Sequence, residues 1–281
     1  MDNTRTQLKT LNTQFHFFMQ HKAALKNNLI SLLDLTYPSA NALFDSPVRS
    51  DGSEKWIDYV HSFWHVDCVR KIGLKAFTER YQSFCKHHGY IFQPGKPEEL
   101  FNASKELIAV VPKNAVYKQL ILSNIEQLNT VSKQIEEFRR TMNQLASILP
   151  EYNTVMSMYG VGSTYGPQLM AEIGDTSRFD HRSAITAFAG VDPGVNQSGT
   201  MNYESNRASK HGAPRLRKTL FQIMRTLLQL APADDPVYLF MMKKKAEGKP
   251  FQVYMTAGAN KFLRIYYGKV KECLASQPSE I

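Results

Sequence analysis

The sequence predicts a mainly α-helical protein in which a long helical, coiled-coil stalk precedes a compact helical C-terminal domain. Two long stretches of the chain place apolar residues at alternating steps of three and four, which is typical of helices that pack against another helix. Strict alternation of apolar and polar residues, the mark of a half-buried strand, is scarce over the 281 residues. The chain also has no internal repeat of fixed period.

The two apolar seams belong to helices at the start and in the middle of the chain. Lys22 takes the one missing position of the first seam, and Pro150 ends the second, because proline cannot continue a helix interior. Such seams indicate an antiparallel helix pair, a coiled coil shared by two chains, or packing within one core. We predict two domains, 1–150 and 151–281. The seam residues are Leu8, Leu11, Phe15, Phe18, Leu25, Leu29 and Leu32, then Ile121, Ile125, Leu128, Val131, Ile135, Phe138, Met142, Leu145 and Leu149.

Between the seams lies an insert of roughly residues 45–115. After a turn-rich start, the sequence predicts helices over 56–71 and 74–88 and a third that begins near Glu98. Its histidines and cysteines invite a zinc interpretation, but the short paired spacers typical of zinc ligands are missing. A partly buried, aromatic-rich helix is the favoured interpretation. The side chains in question are His61, His65, Cys68, Cys85, His87 and His88.

The composition excludes several classes of protein. Hydrophobic residues make up 43% and charged residues 21%, which rules out a mostly disordered chain. No apolar run reaches the ~18 residues that a membrane span needs. The first residues lack the apolar core of a signal peptide, and three cysteines do not make a disulfide framework. We expect a cytoplasmic protein without a membrane partner.

The positive charge is concentrated in one part of the chain. The formal net charge is +9, and residues 201–271 hold 14 Lys and Arg against 4 Asp and Glu, a local net of +10. A confined basic surface suits a polyanion such as nucleic acid, whose phosphates dominate affinity. A solvated basic face that keeps the protein soluble is the alternative.

A glycine-rich turn lies between two helical stretches after Pro150. Gly160, Val161 and Gly162 form the turn of a helix-hairpin-helix-like motif, in which glycine lets backbone N–H groups approach a ligand closely. The N-terminus of the following helix offers unpaired donors at the positive end of the helix dipole. This pattern favours contact with the DNA backbone without sequence reading. A purely structural helix corner is the alternative.

The residues that follow have mostly structural interpretations. Gly174 is predicted to end a helix and Asp175 to cap a turn. Glu172 and Asp175 could be metal carboxylates, but two acids that bracket a helix end are more often capping groups. By its surroundings alone, Ser198 is a polar loop residue, because no base is fixed beside it by spacing.

A basic segment then leads into a helix predicted to begin at Pro214. Its basic side chains stay in the loop and on the solvent side of the first turns, where they can meet phosphates. The candidates for nucleic-acid contact here are Arg207, Lys210, Arg215, Arg217 and Lys218. The helix is expected to turn Leu216, Leu220, Ile223, Leu227 and Leu230 to the core.

This part of the chain resembles the C-terminal domain of the bridge-RNA-guided insertion-sequence transposases, which combine a RuvC-like DEDD domain with a serine transposase domain. The order and spacing of the motifs match over about residues 151–274, and the helices upstream are similar to the coiled-coil region of that family. The motifs are Tyr159-Gly160-Val161-Gly162, Ala171-Glu172-Ile173-Gly174-Asp175, Arg178-Phe179, Ala187-Phe188-Ala189-Gly190-Val191-Asp192-Pro193, Gln197-Ser198-Gly199 and Gly212-Ala213-Pro214-Arg215-Leu216-Arg217.

The resemblance implies a catalytic serine. In that family the C-terminal domain supplies a serine that attacks the scissile phosphate and holds DNA as a phosphoserine, and this serine matches Ser198. Four acidic residues of the family's N-terminal domain bind magnesium, and no Asp or Glu of this chain matches them. We therefore expect no metal site and no cofactor in this chain, and no activity without that acidic domain.

The resulting hypothesis is a DNA transposase, in its C-terminal part, that binds DNA and transfers strands through Ser198. A non-catalytic nucleic-acid-binding partner or decoy of an intact transposase is the alternative. The expected partners are DNA, a guide (bridge) RNA implied by the resemblance, and a second copy of the chain bound through the coiled coil.

Overall fold

A computed structural model of the chain describes residues 3–192, 197–198, 201–202 and 208–276, with backbone alone for the two short pieces. The described residues are mainly α-helical, as the sequence predicts. One antiparallel pair of two-residue strands is present among them, β1 (Gln197–Ser198) and β2 (Met201–Asn202). The helices are α1 (Asn3–Thr36), α2 (Lys55–Ser62), α3 (Asp67–Arg70), α4 (Leu74–His88), α5 (Lys96–Glu106), α6 (Ala115–Ser147), α7 (Tyr152–Met156), α8 (Gly162–Ile173), α9 (Arg182–Ala189), α10 (Pro214–Leu230), α11 (Pro236–Ala246) and α12 (Phe251–Ala275).

The chain divides into two compact units. Residues Phe15–Phe138 form the middle unit, and the described residues of Met1–Gln14 and Arg139–Ile281 form the C-terminal unit. The limits of the units fall inside α1 and α6 rather than at Pro150. The boundaries of the predicted domains, 1–150 and 151–281, therefore differ from those of the two compact units, and the domains stay a prediction.

Most residues of both apolar seams are buried within this single chain, and the others are half-buried. In the middle unit, the ring of Phe18 contacts the ring of Phe138 edge-on, with centroids 5.1 Å apart. This burial agrees with pairing or core packing inside one chain, and the coiled coil between two chains stays a prediction. The buried seam residues of this unit are Phe15, Leu25, Leu29, Ile121, Ile125, Leu128, Val131 and Ile135.

The single helix predicted over 56–71 is wrong, because the chain leaves the helix after Ser62 and resumes it at Asp67. Hydrogen bonds to the end of α1 hold the break. Thr36 Oγ1 donates to the carbonyl of Trp64 over 2.9 Å, and the Val66 N–H donates to the carbonyl of Thr36 over 3.1 Å. The helix predicted over 74–88 is confirmed, and α5 begins at Lys96, close to the predicted start.

Helix α12 is the centre of the C-terminal unit, where it packs against α7, α9, α10 and α11. Its buried side chains include Met255, Phe262, Leu263 and Tyr266. Helix α8 packs against α10 beside them. None of the helices in the described part of the chain is both long and apolar enough to cross a membrane.

Helix α10 positions the basic segment and begins at Pro214, as predicted. Leu216, Leu220, Ile223 and Leu227 are fully buried. The prediction for Leu230 is wrong, since its side chain is 58% exposed. Leu230 is the last residue of α10 and Ala231 turns the chain with a φ of +46°, so the buried face ends one turn before the helix does.

Candidate functional site

Two loops that lie far apart in the sequence meet beside α10. The first follows the end of α9 at Gly190, and the second precedes Pro214. The N–H of Lys210 donates to the carbonyl of Gly190 over 3.2 Å, and the N–H of Ala213 donates to the carbonyl of Phe188 over 2.8 Å. These bonds bring together the two ends of the segment 193–207, which contains Ser198.

Gly190 and Gly212, here called the glycine clasp, allow this contact because neither has a side chain. A Cβ on Gly212 would lie 2.1 Å from the carbonyl oxygen of Phe188, and one on Gly190 would lie 2.7 Å from the backbone nitrogen of Gly212. Gly190 also has a φ of +64°, in the left-handed region that favours glycine. Any larger residue would push the two loops apart.

Two further hydrogen bonds join the residues that flank the segment 193–207. Ser209 Oγ donates to Asp192 Oδ1 over 2.7 Å, and the Ser209 N–H donates to the carbonyl of Asp192 over 3.0 Å. Asp192 directly precedes the segment 193–207, and Ser209 follows it by two residues. The segment is therefore anchored at both ends by backbone and side-chain hydrogen bonds.

Ser198 lies in the β1–β2 pair within this segment. Ser198 pairs with Met201 and Gln197 with Asn202 in antiparallel register. The backbone of Ser198 is described, whereas its side chain and the whole of Arg207 lie outside the described residues. The catalytic role of Ser198 and the phosphate contact of Arg207 stay predictions.

Arg217, a predicted nucleic-acid contact, is bound to the glycine clasp. Its Nη1 donates to the carbonyl of Ala189 over 3.1 Å and to that of Gly212 over 3.0 Å. The guanidinium is part-buried and joins the end of α9 to the start of α10. This position gives Arg217 a structural function, while its contact with nucleic acid stays a prediction.

The other described basic candidates are open to solvent. Lys210, Arg215 and Lys218 are exposed. Lys210 has a φ of +55°, which is uncommon for a residue with a side chain. Arg215 Nη1 donates to Thr13 Oγ1 over 2.9 Å. These three side chains lie at the start of α10 and in the loop before it, where a polyanion can reach them.

The turn at 160–162 joins two helices, as the sequence predicts, but its three residues differ in accessibility. Val161 is fully buried. A Cβ on Gly160, whose φ is +79°, would lie 2.9 Å from the carbonyl oxygen of Ile223 in α10. Gly162 begins α8 with a φ of +54°, and a Cβ there would meet nothing within 4 Å. Only Gly162 thus has open space beside it, and nucleic-acid contact by this turn stays a prediction.

Polar contacts from the first turns of α1 were not expected from the sequence. The guanidinium of Arg5 binds both carboxylate oxygens of Glu151, which is fully buried. Asn12 Nδ2 donates to Glu172 Oε1 over 2.6 Å. The signal that could have found them is that Arg5 and Asn12 lie three and four residues from Leu8, on the same side of the helix, where an apolar residue is usual.

Burial raises the pKa of Glu172, while the positive charge of Arg215, the hydrogen bond from Asn12 and the charge of Lys9 lower it in part. Gly174 ends α8 and Asp175 caps the following turn by accepting from the Ser177 N–H, both as predicted. Glu172 and Asp175 therefore have structural partners.

The absence of a magnesium site from this chain stays a prediction. Three carboxylates of the C-terminal unit have hydrogen-bond partners, Glu151 in Arg5, Glu172 in Asn12 and Asp192 in Ser209. Across the described ranges, no three His, Cys, Asp or Glu side chains converge as metal ligands. In the insert, His65 is buried and its Nε2 lies 3.1 Å from the carbonyl oxygen of Val111.

The part of the chain that matches known proteins includes the glycine clasp. Residues 152–238 match the sequence profile described as the Transposase IS116/IS110/IS902 family. The matched range begins at α7, includes both loops of the glycine clasp and ends in the first turn of α11. The resemblance to insertion-sequence transposases is confirmed over these residues.

Two relatives match a larger part of the chain than the family profile does. They are the pilin gene-inverting proteins of Moraxella bovis and Moraxella lacunata. Each is 22% identical in a match 239 residues long, and the match covers 76% of this chain and 70% of the relative.

Proposed function

We propose that this chain is a transposase-type DNA recombinase whose Ser198 forms a covalent bond with DNA. The observation that carries the proposal is the family match over 152–238, because that range contains Ser198 and the glycine clasp that anchors both ends of its segment. The names of the Moraxella relatives describe gene inversion, which also requires cutting and rejoining of DNA.

The charge distribution supports DNA as the substrate. The local net charge of +10 over 201–271 lies in the same part of the chain as Ser198. Lys210, Arg215 and Lys218 are exposed around the start of α10. Lysine and arginine at such positions hold phosphates and set the position of the duplex without reading its sequence.

The proposed step is an attack of Ser198 Oγ on a phosphodiester of DNA. The new bond joins Oγ to phosphorus while the bond from phosphorus to one deoxyribose oxygen breaks, which leaves a phosphoserine and a free DNA end. The serine proton leaves to a base, and the departing oxygen takes up a proton. A second DNA end then reverses the step, so strand transfer needs no external energy source.

Apart from Ser198, the residues of this chain bind and position the DNA in this proposal. A serine hydroxyl is a weak nucleophile without a base or a metal. We propose that the step also requires a guide RNA and magnesium-binding acids of the kind in the family's acidic domain, and an intact relative can supply those acids as an added component. Without those acids, residues 1–281 are expected to bind DNA and not to cut it.

The test is a search for a covalent protein–DNA adduct after reconstitution with such a component, guide RNA and labelled DNA. We expect an adduct that survives denaturation and is lost in Ser198→Ala, since alanine deletes the attacking oxygen. Ser205→Ala, a hydroxyl deletion in the same segment, is the matched control and should keep the adduct.

An adduct that persists in Ser198→Ala, or one that maps to Ser205 or Ser209 by peptide mass spectrometry, would contradict the assignment of the nucleophile. DNA binding with no adduct from the unmodified chain in any reconstitution would instead favour the non-catalytic partner or decoy.

A further inference from the structure

A cleft of about 670 Å³ opens on the middle unit, beside α2 and α4 and the start of α6. Its lining includes the aromatic side chains of Phe63, Trp64 and Phe84, each of which is largely buried. Small-molecule sites commonly have this size and combine an apolar floor with a few polar groups. The size and the floor suit a ligand with a planar ring.

Cationic side chains surround this floor. Arg80, Ser83 and His87 lie at i, i+3 and i+7 of α4, so they share one face of that helix. Lys113 and Lys118 also line the cleft, and among its lining residues the only carboxylate is that of Glu79. In the parts of the chain that the structure describes, Arg80, Lys113 and Lys118 have no carboxylate partner within ion-pair distance. Unpaired cations around one cleft favour an anionic ligand.

Three histidines add hydrogen-bond donors to the same place. His61, His87 and His88 line the cleft, and the rings of His87 and His88 lie 4.9 Å apart. Burial lowers the pKa of His88; Asp58 raises it, and His87, His61 and Arg49 lower it further. A neutral imidazole donates one N–H, so His88 can contribute to anion binding without carrying a charge.

A second cleft of about 810 Å³ continues along α6 and shares His61 and Lys118 with the first. Side-chain amides and hydroxyls line it, among them Gln119, Ser123 and Asn129. Such groups can pair with the edges of a base or with sugar hydroxyls. The two clefts together provide cations for a phosphate, an apolar floor for a ring and polar groups beside it.

We propose that the cleft of the middle unit binds a nucleotide, with its phosphate held by Arg80 and Lys118. The nucleotide can be a free molecule or one unit of a nucleic-acid strand, since the phosphate and the base are the same in both. This proposal rests on the middle unit alone and does not depend on the catalytic role of Ser198.

The test is a titration of the full chain with adenosine diphosphate, a trinucleotide and inorganic phosphate, followed by calorimetry and by tryptophan fluorescence. Trp64 lines the cleft and is one of only two tryptophans in the chain, so its emission should change on binding. In Arg80→Ala with Lys118→Ala, we expect affinity for the nucleotide to fall ~10-fold or more, because two charge-assisted contacts are lost.

Lys75→Ala with Lys86→Ala is the matched control, because it removes two exposed positive charges from α4 without touching the cleft. It should bind as the unmodified chain does, and far-UV circular dichroism should show the same helix content in both variants. Binding of the trinucleotide alone, lost in the cleft variant, would assign the ligand to a nucleic-acid strand. The proposal is overturned by no binding of either nucleotide, by equal losses in both variants, or by inorganic phosphate that binds as tightly as the diphosphate.

Discussion

Gly212 has less room for a side chain than any other described glycine of the C-terminal unit. A Cβ there would lie 2.1 Å from the carbonyl oxygen of Phe188 and 2.5 Å from the backbone nitrogen of Gly190. Because backbone atoms, unlike the end of a flexible side chain, cannot move aside locally, an added methyl group must separate the two loops. Separating the loops would also weaken the hydrogen bonds that hold the residues on either side of the segment 193–207, which contains Ser198.

The change Gly212→Ala should therefore lower the free energy of unfolding by about 1–3 kcal/mol, the usual cost of an overpacked position. Gly268→Ala is the matched control, since Gly268 lies inside α12 and a Cβ there meets nothing within 4 Å. The control should stabilise the protein by roughly 0.5–1 kcal/mol through helix propensity. Urea denaturation measures both, and equal effects of the two changes would contradict a steric role for Gly212.

Residues with local roles could be predicted from the sequence, and residues with long-range roles could not. Gly174, Asp175 and Pro214 act on their own helix ends, so their chemistry and position suffice. Arg217 was expected to meet phosphates because it is basic and near a loop. The structure adds bonds from Arg217 to the carbonyls of Ala189 and Gly212, which the sequence did not indicate, and Ala189 lies 28 residues away. The contact of Arg217 with phosphate stays a prediction.

At the scale of elements, the periodicity of α6 has a clear structural consequence. Ile125 and Ile135 are 1% and 2% exposed, so the apolar seam faces packed side chains rather than solvent. Burying an unpaired carboxylate at such positions is costly.

The double change Ile125→Asp with Ile135→Asp should destabilise the protein by more than about 3 kcal/mol and abolish cooperative folding of the middle unit. Glu126→Ala with Gln134→Ala, at exposed positions of the same helix, should leave stability within about 0.5 kcal/mol. Circular dichroism measures the helix content of each variant, and light scattering measures whether it is a monomer or an oligomer. A seam used only between two chains would instead give a dissociated monomer with full helix content.

The apolar periodicity of the sequence predicted where helices form, but it did not predict where a helix is interrupted. The bounds of α4 agree with its apolar spacing and with Gly89 at its end. The break between α2 and α3 depends on hydrogen bonds from Thr36 to Trp64 and from Val66 to Thr36, about 30 residues apart. No local pattern in 56–71 reports a partner at that distance.

At the scale of the whole molecule, the first turns of α1 belong with the C-terminal unit. Arg5 binds Glu151 and Asn12 binds Glu172, each across more than 140 residues of sequence. A linear division of the chain at Pro150 could not show this, because the units are defined by packing and not by order. The charge distribution, by contrast, is a property of the sequence and could be read from it directly.

That distribution leads to a prediction for binding of duplex DNA by the whole chain. Each phosphate that a cation neutralises contributes about 0.9 to the slope of log affinity against log salt concentration. Arg215→Ala with Lys218→Ala removes two exposed cations at the start of α10, so the slope should fall by about 1.8 and affinity should drop similarly for unrelated DNA sequences. Arg217 is left intact because its guanidinium holds the glycine clasp.

Lys75→Ala with Lys86→Ala carries the same loss of charge in the middle unit and serves as the control. Fluorescence anisotropy between about 50 and 200 mM salt covers the range in which several phosphate contacts change affinity strongly. If the slope fell equally in both variants, net charge alone would explain binding and the start of α10 would hold no particular phosphates. A slope that falls only in the α10 variant places DNA beside the segment that contains Ser198, which the proposed attack on a phosphodiester requires.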